Sequence, residues 1–247
     1  MKRRKSAIKL STMIITSLFC LLVIGVFASN MILKGVYEKV DKSDLYWNYN
    51  IILDQPYKHL KIVGGNITNI IFEPSKKSTV RVLNYWWGYK KDSTVKAYVH
   101  NDTLYLTFMN HYADLGDKNW MGGNVLVRLF GPQLLSVDGS DTNFELQKMK
   151  QRSFNFNLKG KSRLEVETYE RNMDTLKVAE HDSSTVIFEV SPDLKGSPTM
   201  HFKQVTADMT GYSLLGLGHS YTDNIKFNLA DTSAVLLSGK TLKGVSK

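Results

Sequence analysis

The chain opens with two kinds of hydrophobic pattern that do not mix. Leu10 to Ala28 reads LSTMIITSLFCLLVIGVFA, an unbroken apolar run whose only polar members are Ser and Thr. At 1.5 Å rise per residue these nineteen positions span roughly 28 Å, the thickness of a hydrocarbon core. From Tyr57 onward the text changes to short alternating runs rich in Val, Ile, Tyr, Phe and Thr, punctuated by Gly, Asn, Asp and Ser. Such runs predict strands with one buried face. They include Leu60–Ile62, Ile70–Phe72, Thr79–Val82, Val95–Val99, Thr103–Phe108, Val125–Leu129 and Leu134–Val137. No helical periodicity stands out after Pro56. RNMDTLKVAEHD reads as a turn followed by a strand.

One phrase returns four times: VDGSDTNFEL (Val137–Leu146), LKGKSRLEV (Leu158–Val166), VAEHDSSTVIF (Val178–Phe188) and LADTSAVLL (Leu229–Leu237). Each is apolar-x-apolar, a polar turn, then apolar-x-apolar. Val137, Leu158 and Val178 hold the same place in successive phrases, at intervals of about 20 residues. A unit that cannot cover its own apolar face must stack on its neighbours, at about 4.8 Å per strand. The expectation is an all-β body, a parallel β-helix or solenoid, preceded by one transmembrane helix. An antiparallel sandwich with regular strand spacing is the competing architecture. Gly139 and Gly160 are expected at corners that need positive φ. Asp138, Asp182, Ser183, Ser184, Asp231, Thr232 and Ser233 are expected to bond local backbone, and small polar residues to bond from one corner to the next.

Charge sharpens the topology. The net charge is +9, but residues up to Val40 hold seven Lys and Arg against Glu38 alone, leaving about +3 for the rest. The high pI is therefore no argument for a nucleic-acid partner, which would need a basic stripe within the folded body. Lys2, Arg3, Arg4, Lys5 and Lys9 precede the apolar run, which holds the amino terminus in the cytoplasm and exports the body. The expected divisions are a basic tail (1–9), a membrane anchor (10–28), a stalk (29–56) and a β-helix domain (57–247). An uncleaved anchor is favoured over a cleaved signal because the run exceeds a signal core; Val26 and Ala28 are tolerable at a cleavage site. Both readings place the bulk of the chain outside the cytoplasm, tied to the cytoplasmic or outer membrane bilayer through 10–28. Cys20, the only cysteine, follows the bulky Phe19, which disfavours lipidation, and leaves the exported part without disulfides.

GGNVLVRLFGPQLLSVDGSDTNFELQ carries a further signal: the strand Val125–Leu129, the bend at Pro132, then Leu134, Val137 and Gly139 in order. This run resembles the auto-transporter adhesin head (GIN) domain family of Bacteroidetes-type envelopes. YKHLKIVGGNITNIIFE resembles that family's opening, and Val95–Phe108 the strand pair that follows. The resemblance runs from about Tyr57 to the end and implies a right-handed β-helix. The corner glycine is replaced around His181 and Asp231, and NYWWGYKKDS and NHYADLGDKNWMGG look like insertions private to this chain. The family supplies no catalytic residues to carry over, and its adhesin label is an analogy.

Chemistry is sparse. His111, Asp114 and Asp117 lie close in sequence but lack the dense Asp/Asn alternation and closing Glu of a calcium loop. His59, His100, His181, His201 and His219 are dispersed, without zinc-enzyme spacing. No G-x-S-x-G elbow occurs, and His219–Ser220 reads as part of a turn. We therefore expect no catalytic residues, no metal and no cofactor. The aromatics are the better lead. Tyr85, Trp86, Trp87 and Tyr89 cluster around Gly88, with Trp120 in the second insertion. Such residues either cap an apolar core or contact a glycan or an envelope protein. The sequence thus points to a non-catalytic, anchored, extracytoplasmic protein for binding or envelope architecture. The alternative class is a lyase-like, polysaccharide-active enzyme on a β-helix. That would need clustered Asp with Lys or Arg, and Lys148, Lys150, Arg152, Lys159, Lys161 and Arg163 lack such an Asp cluster in phase.

Overall fold

A computed structural model describes residues 10–39, 41–66, 68–84, 95–108, 125–196, 199–230 and 232–238. The chain divides into two compact units, Met1–Trp47 and Asn48–Lys247. In the first, helix α1 runs from Leu10 to Glu38, 29 residues, with none of its residues buried. The apolar text thus continues as helix through MILKGVYE, closed by a Lys34–Glu38 pair at the polar end. Its length is about 43 Å at 1.5 Å per residue.

Among its described residues the second unit is built from seventeen strands. The first seven are β1 (Tyr49–Leu53), β2 (His59–Val63), β3 (Asn69–Pro74), β4 (Thr79–Leu83), β5 (Val95–His100), β6 (Thr103–Phe108) and β7 (Val125–Gly131). Then come β8 (Ser136–Ser140), β9 (Asn143–Met149), β10 (Ser153–Lys159), β11 (Arg163–Thr168) and β12 (Asn172–Glu180). The last are β13 (Thr185–Val190), β14 (Met200–Met209), β15 (Leu214–Gly216), β16 (Ser220–Leu229) and β17 (Ala234–Leu236). They form two mixed sheets. Sheet A has the order β1-β4-β7-β3-β9-β11-β13-β15-β17, and sheet B the order β16-β14-β12-β10-β8-β2-β6-β5.

The parallel β-helix expected over 57–247 is corrected by this arrangement. β1–β4, β4–β7 and β5–β6 pair antiparallel, and β2 and β3 pair out of chain order. The local reason is plain at β5–β6. Asn101 and Asp102 both take positive φ (47° and 58°), the two-residue turn whose twist folds a strand back on itself. The fourfold phrase is corrected with it. Val137 lies opposite Phe156, and Phe156 opposite Val178. Leu158 instead lies opposite Gly139 and Glu180, so Val137, Leu158 and Val178 do not form one column. Spacing of about 20 residues fixed the neighbours but not the register.

Alternation does place the inner faces. β10 alternates between exposed and buried residues along its length, with Phe154, Phe156 and Leu158 inward. Phe188 of sheet A meets Phe154 and Phe202 of sheet B edge-on, at 5.8 and 5.6 Å between ring centres, which ties the layers together. Small polar residues line one corner: the carbonyls of Thr142, Ser162, Ser184 and Ser213 accept the N–H groups of Arg163, Thr185, Leu214 and Ala234 at 2.8–3.0 Å. Ser162, Ser213 and Ser233 turn their hydroxyls back to the carbonyl three residues earlier, at 2.6–2.8 Å. Gly160 has the expected positive φ of 67°. Gly139 does not: it lies within β8, where a Cβ would stand 2.8 Å from Leu158 Cδ2 and 2.9 Å from Thr142 Cγ2.

Candidate functional site

The five aromatics singled out by sequence, Tyr85, Trp86, Trp87, Tyr89 and Trp120, lie outside the described residues, as do His111, Asp114 and Asp117. Their segments nevertheless leave and rejoin the body at shared places. Val95, where the first segment ends, pairs with Phe108, where the second begins. At the other ends, Asn84 N–H donates to Asn48 O, while the hydroxyl of the adjacent Tyr49 donates to Val125 O, both at 2.8 Å.

Beside this junction the outer face of sheet B carries a polar row. Tyr98 and Tyr105 stack at 4.9 Å, 3° from parallel, with Tyr98 exposed. Register continues the row through Lys61 and Asp138, paired at 3.6 Å, to Asn157. Farther along, Asn228 donates to Asp208 Oδ1 at 2.9 Å. A row of exposed ring faces, carboxylates and amides is suited to polar ligands such as sugars, and is equally what a solvated sheet face requires.

A second row on sheet B alternates in sign. Arg152 and Lys203 both reach Asp174 Oδ1, at 3.2 and 2.7 Å. The Lys203 hydrogen bond and the Arg152 charge hold the Asp174 carboxyl below its ordinary range. Lys203 sits beside Asp223 in the β14–β16 register, and His201 Nε2 reaches Asp223 Oδ1 at 2.9 Å, its ring stacked on Tyr221 at 4.4 Å.

Sheet A offers two recesses. Glu145, Glu165, Glu167 and Glu189 line one of about 210 Å³ on its outer face. Asn69 and Gln147 donate to Glu145, and Arg163 bonds Glu165. The other, about 500 Å³, opens where β15 stops early at Gly216, between Phe188–Val190 and Leu236–Ser238. Its walls are mostly apolar, with Glu189, His219 and Ser238 as polar members.

Sequence reading missed Glu180. It is wholly buried, and neither carboxyl oxygen has a hydrogen-bond partner among the described residues. Burial pushes its pKa up to about 9. The signal was available, since in LKVAE the position of Glu180 has the same parity as Leu176 and Val178, which face inward. Tyr57 is similar, its hydroxyl pKa raised by burial while it donates to Phe130 O at 2.8 Å. Neither group faces solvent, so neither can meet a substrate. Among the described residues no group of three His, Cys, Asp or Glu is placed to hold a metal.

No family model matches the sequence, and no curated protein matches it. Similar solved structures are candidate adhesins of Bacteroidetes. One, from Bacteroides fragilis, is 9% identical with a TM-score of 0.40, covering 76% of this chain and 94% of that one. Another, from Parabacteroides distasonis, is 12% identical with a TM-score of 0.42, covering 76% and 79%. A candidate lipid-binding protein from Parabacteroides distasonis is 11% identical with a TM-score of 0.32, covering 76% and 94%. Likeness at this level leaves fold and role to be argued from the chain itself.

Proposed function

We propose that this chain is a membrane-anchored, extracytoplasmic protein of the cell envelope that works by binding or by architecture rather than by catalysis. The observation that carries the reading is α1: 29 residues, apolar through most of its length, with no residue buried against protein. A helix that apolar and that uncovered needs lipid or another protein around it. The basic cluster before it holds Met1–Lys9 in the cytoplasm and sends the body from Pro56 onward outside.

Contact with a glycan or an envelope protein falls to Tyr85, Trp86, Trp87, Tyr89 and Trp120. The support is that their two segments start and finish at neighbouring strand ends, next to the exposed Tyr98–Tyr105 stack. No nucleic acid enters this reading. The test is a fusion of a reporter active only in the cytoplasm after Lys247. The fusion should be inactive and should sediment with membranes. An active reporter would sink the topology, and with it the extracytoplasmic role.

A further inference from the structure

The recess of about 500 Å³ on sheet A exists because a side chain is missing. Ile187, Gly216 and Leu236 lie side by side in register on β13, β15 and β17. Val186 and Leu215, one residue earlier on their strands, are fully buried, so this row faces outward. Ile187 and Leu236 stand as walls, with Leu214 and Leu237 beside them, and Gly216 leaves the middle of the row empty. Neither the backbone nor packing requires a glycine there. Its φ lies outside the left-handed region, and a Cβ would meet nothing nearer than Ile187 Cγ1 at 3.7 Å, an ordinary contact. A larger residue would fit, and its absence keeps the recess open.

The recess also carries charge. Glu189 lines it, and lines the neighbouring acidic recess as well, with Glu145, Glu165 and Glu167. Register sets these carboxylates side by side in two pairs, Glu145 with Glu165 and Glu167 with Glu189. Like charges at facing positions of neighbouring strands repel. The first pair is compensated within the chain, by Asn69 and Gln147 on Glu145 and by Arg163 on Glu165. The second is not: no cation among the described residues pairs with Glu167 or Glu189. His219 and Ser238 are the other polar members of the larger recess, and the Ser238 hydroxyl donates to Ser220 O at 2.5 Å.

We infer that this recess is a binding site for a small organic cation, an aromatic or aliphatic body that carries a primary amine. The body lies over Gly216 between Ile187 and Leu236, and the ammonium reaches Glu189, with Glu167 beside it. The volume is that of a small-molecule site, and mostly apolar walls with a few polar groups are the usual make-up of one. Charge complementarity selects the cation. An ammonium relieves the repulsion between Glu167 and Glu189 through charge-assisted hydrogen bonds, whereas a neutral chain leaves that repulsion in place and a fatty acid adds to it. The site shares no residue with the aromatic segments, so its test is separate from theirs.

The experiment is ligand-observed saturation-transfer NMR on the full chain in lipid nanodiscs, with empty nanodiscs subtracted. The probes are phenylbutylamine, phenylbutanol and phenylbutyrate, which share one body and differ in the head. The native chain should bind the amine at least about tenfold more tightly than either of the others. Gly216→Leu fills the floor of the recess and should weaken the amine at least about tenfold, with a thermal midpoint no lower than that of the native chain. Glu189 is exposed, so Glu189→Gln reports even where the leucine disturbs β15; it should weaken the amine about fivefold and leave the alcohol unchanged. A native chain that binds no amine, an alcohol or acid bound as tightly as the amine, or an affinity for the amine that Glu189→Gln leaves intact would each overturn the proposal.

Discussion

Leu158 of β10 lies opposite Glu180 of β12, so a leucine and a carboxyl share one buried row of sheet B. Met209 continues that row beyond Glu180. The three side chains are 1%, 0% and 0% exposed. The carboxyl is therefore held where only its neutral form is comfortable.

That placement predicts a pH dependence. The folded state keeps a proton on Glu180 up to about 9, whereas the unfolded chain releases it near 4.5. Between those values the unfolded state binds fewer protons, so stability falls as pH rises. The stabilisation is complete below about pH 4.5, is lost progressively up to about pH 9, and changes no further above that. By pH 7 the loss amounts to about 3 kcal/mol. Glu180→Gln should remove most of this slope. Thermal melts of both proteins from pH 5 to 8 would check it; parallel profiles would show that Glu180 is not held neutral.

Leu158 and Lys159 are neighbours in sequence on opposite faces of β10. Leu158→Ala should leave a cavity between the sheets and cost about 2–5 kcal/mol. Lys159→Ala should cost within about 0.5 kcal/mol, as at most surface positions. Denaturant melts of the pair would measure the contrast, and equal effects would mean that the strand phase is wrong.

Gly139 is fixed by contact rather than by φ. A methyl there would stand 2.8 Å from Leu158 Cδ2, so Gly139→Ala should destabilise by about 1–3 kcal/mol. Leu158→Ala vacates part of that space. A double-mutant cycle should therefore show Gly139→Ala costing less in the Leu158→Ala background. Additive costs would remove the steric account.

The aromatic segments carry the binding expectation. Trp86→Ala combined with Trp87→Ala should lower retention of the full chain on isolated cell-envelope material at least about tenfold, as loss of an interface anchor does. It should leave the thermal midpoint nearly unchanged. A large drop in that midpoint with retention intact would instead give these residues a packing role.

Much of the strand inventory was legible because each strand hides one face. The alternation of Ser153–Lys159 or Thr103–Phe108 marks a strand without any partner being known. Register was not legible. Sliding β10 by two residues against its neighbours preserves the inside–outside pattern, and this is how Leu158 was grouped with Val137 instead of with Gly139. The antiparallel end was hidden too, because Asn101–Asp102 reads as a turn of any kind until its two positive φ angles are known. Gly139 and Gly160 look alike in sequence, yet one is small for lack of room and the other for its backbone angle. Of the functional surfaces, the clustered tryptophans announce themselves.

The central claim is an anchor in the membrane with the β body outside the cytoplasm. Lys159 is exposed on β10, and Cys20, the only cysteine, lies within α1. A Lys159→Cys, Cys20→Ser chain offered a membrane-impermeant maleimide on intact spheroplasts measures the claim directly. The account predicts full labelling before lysis, with the labelled chain retained in alkali-washed membranes. Labelling that appears only after lysis would contradict it.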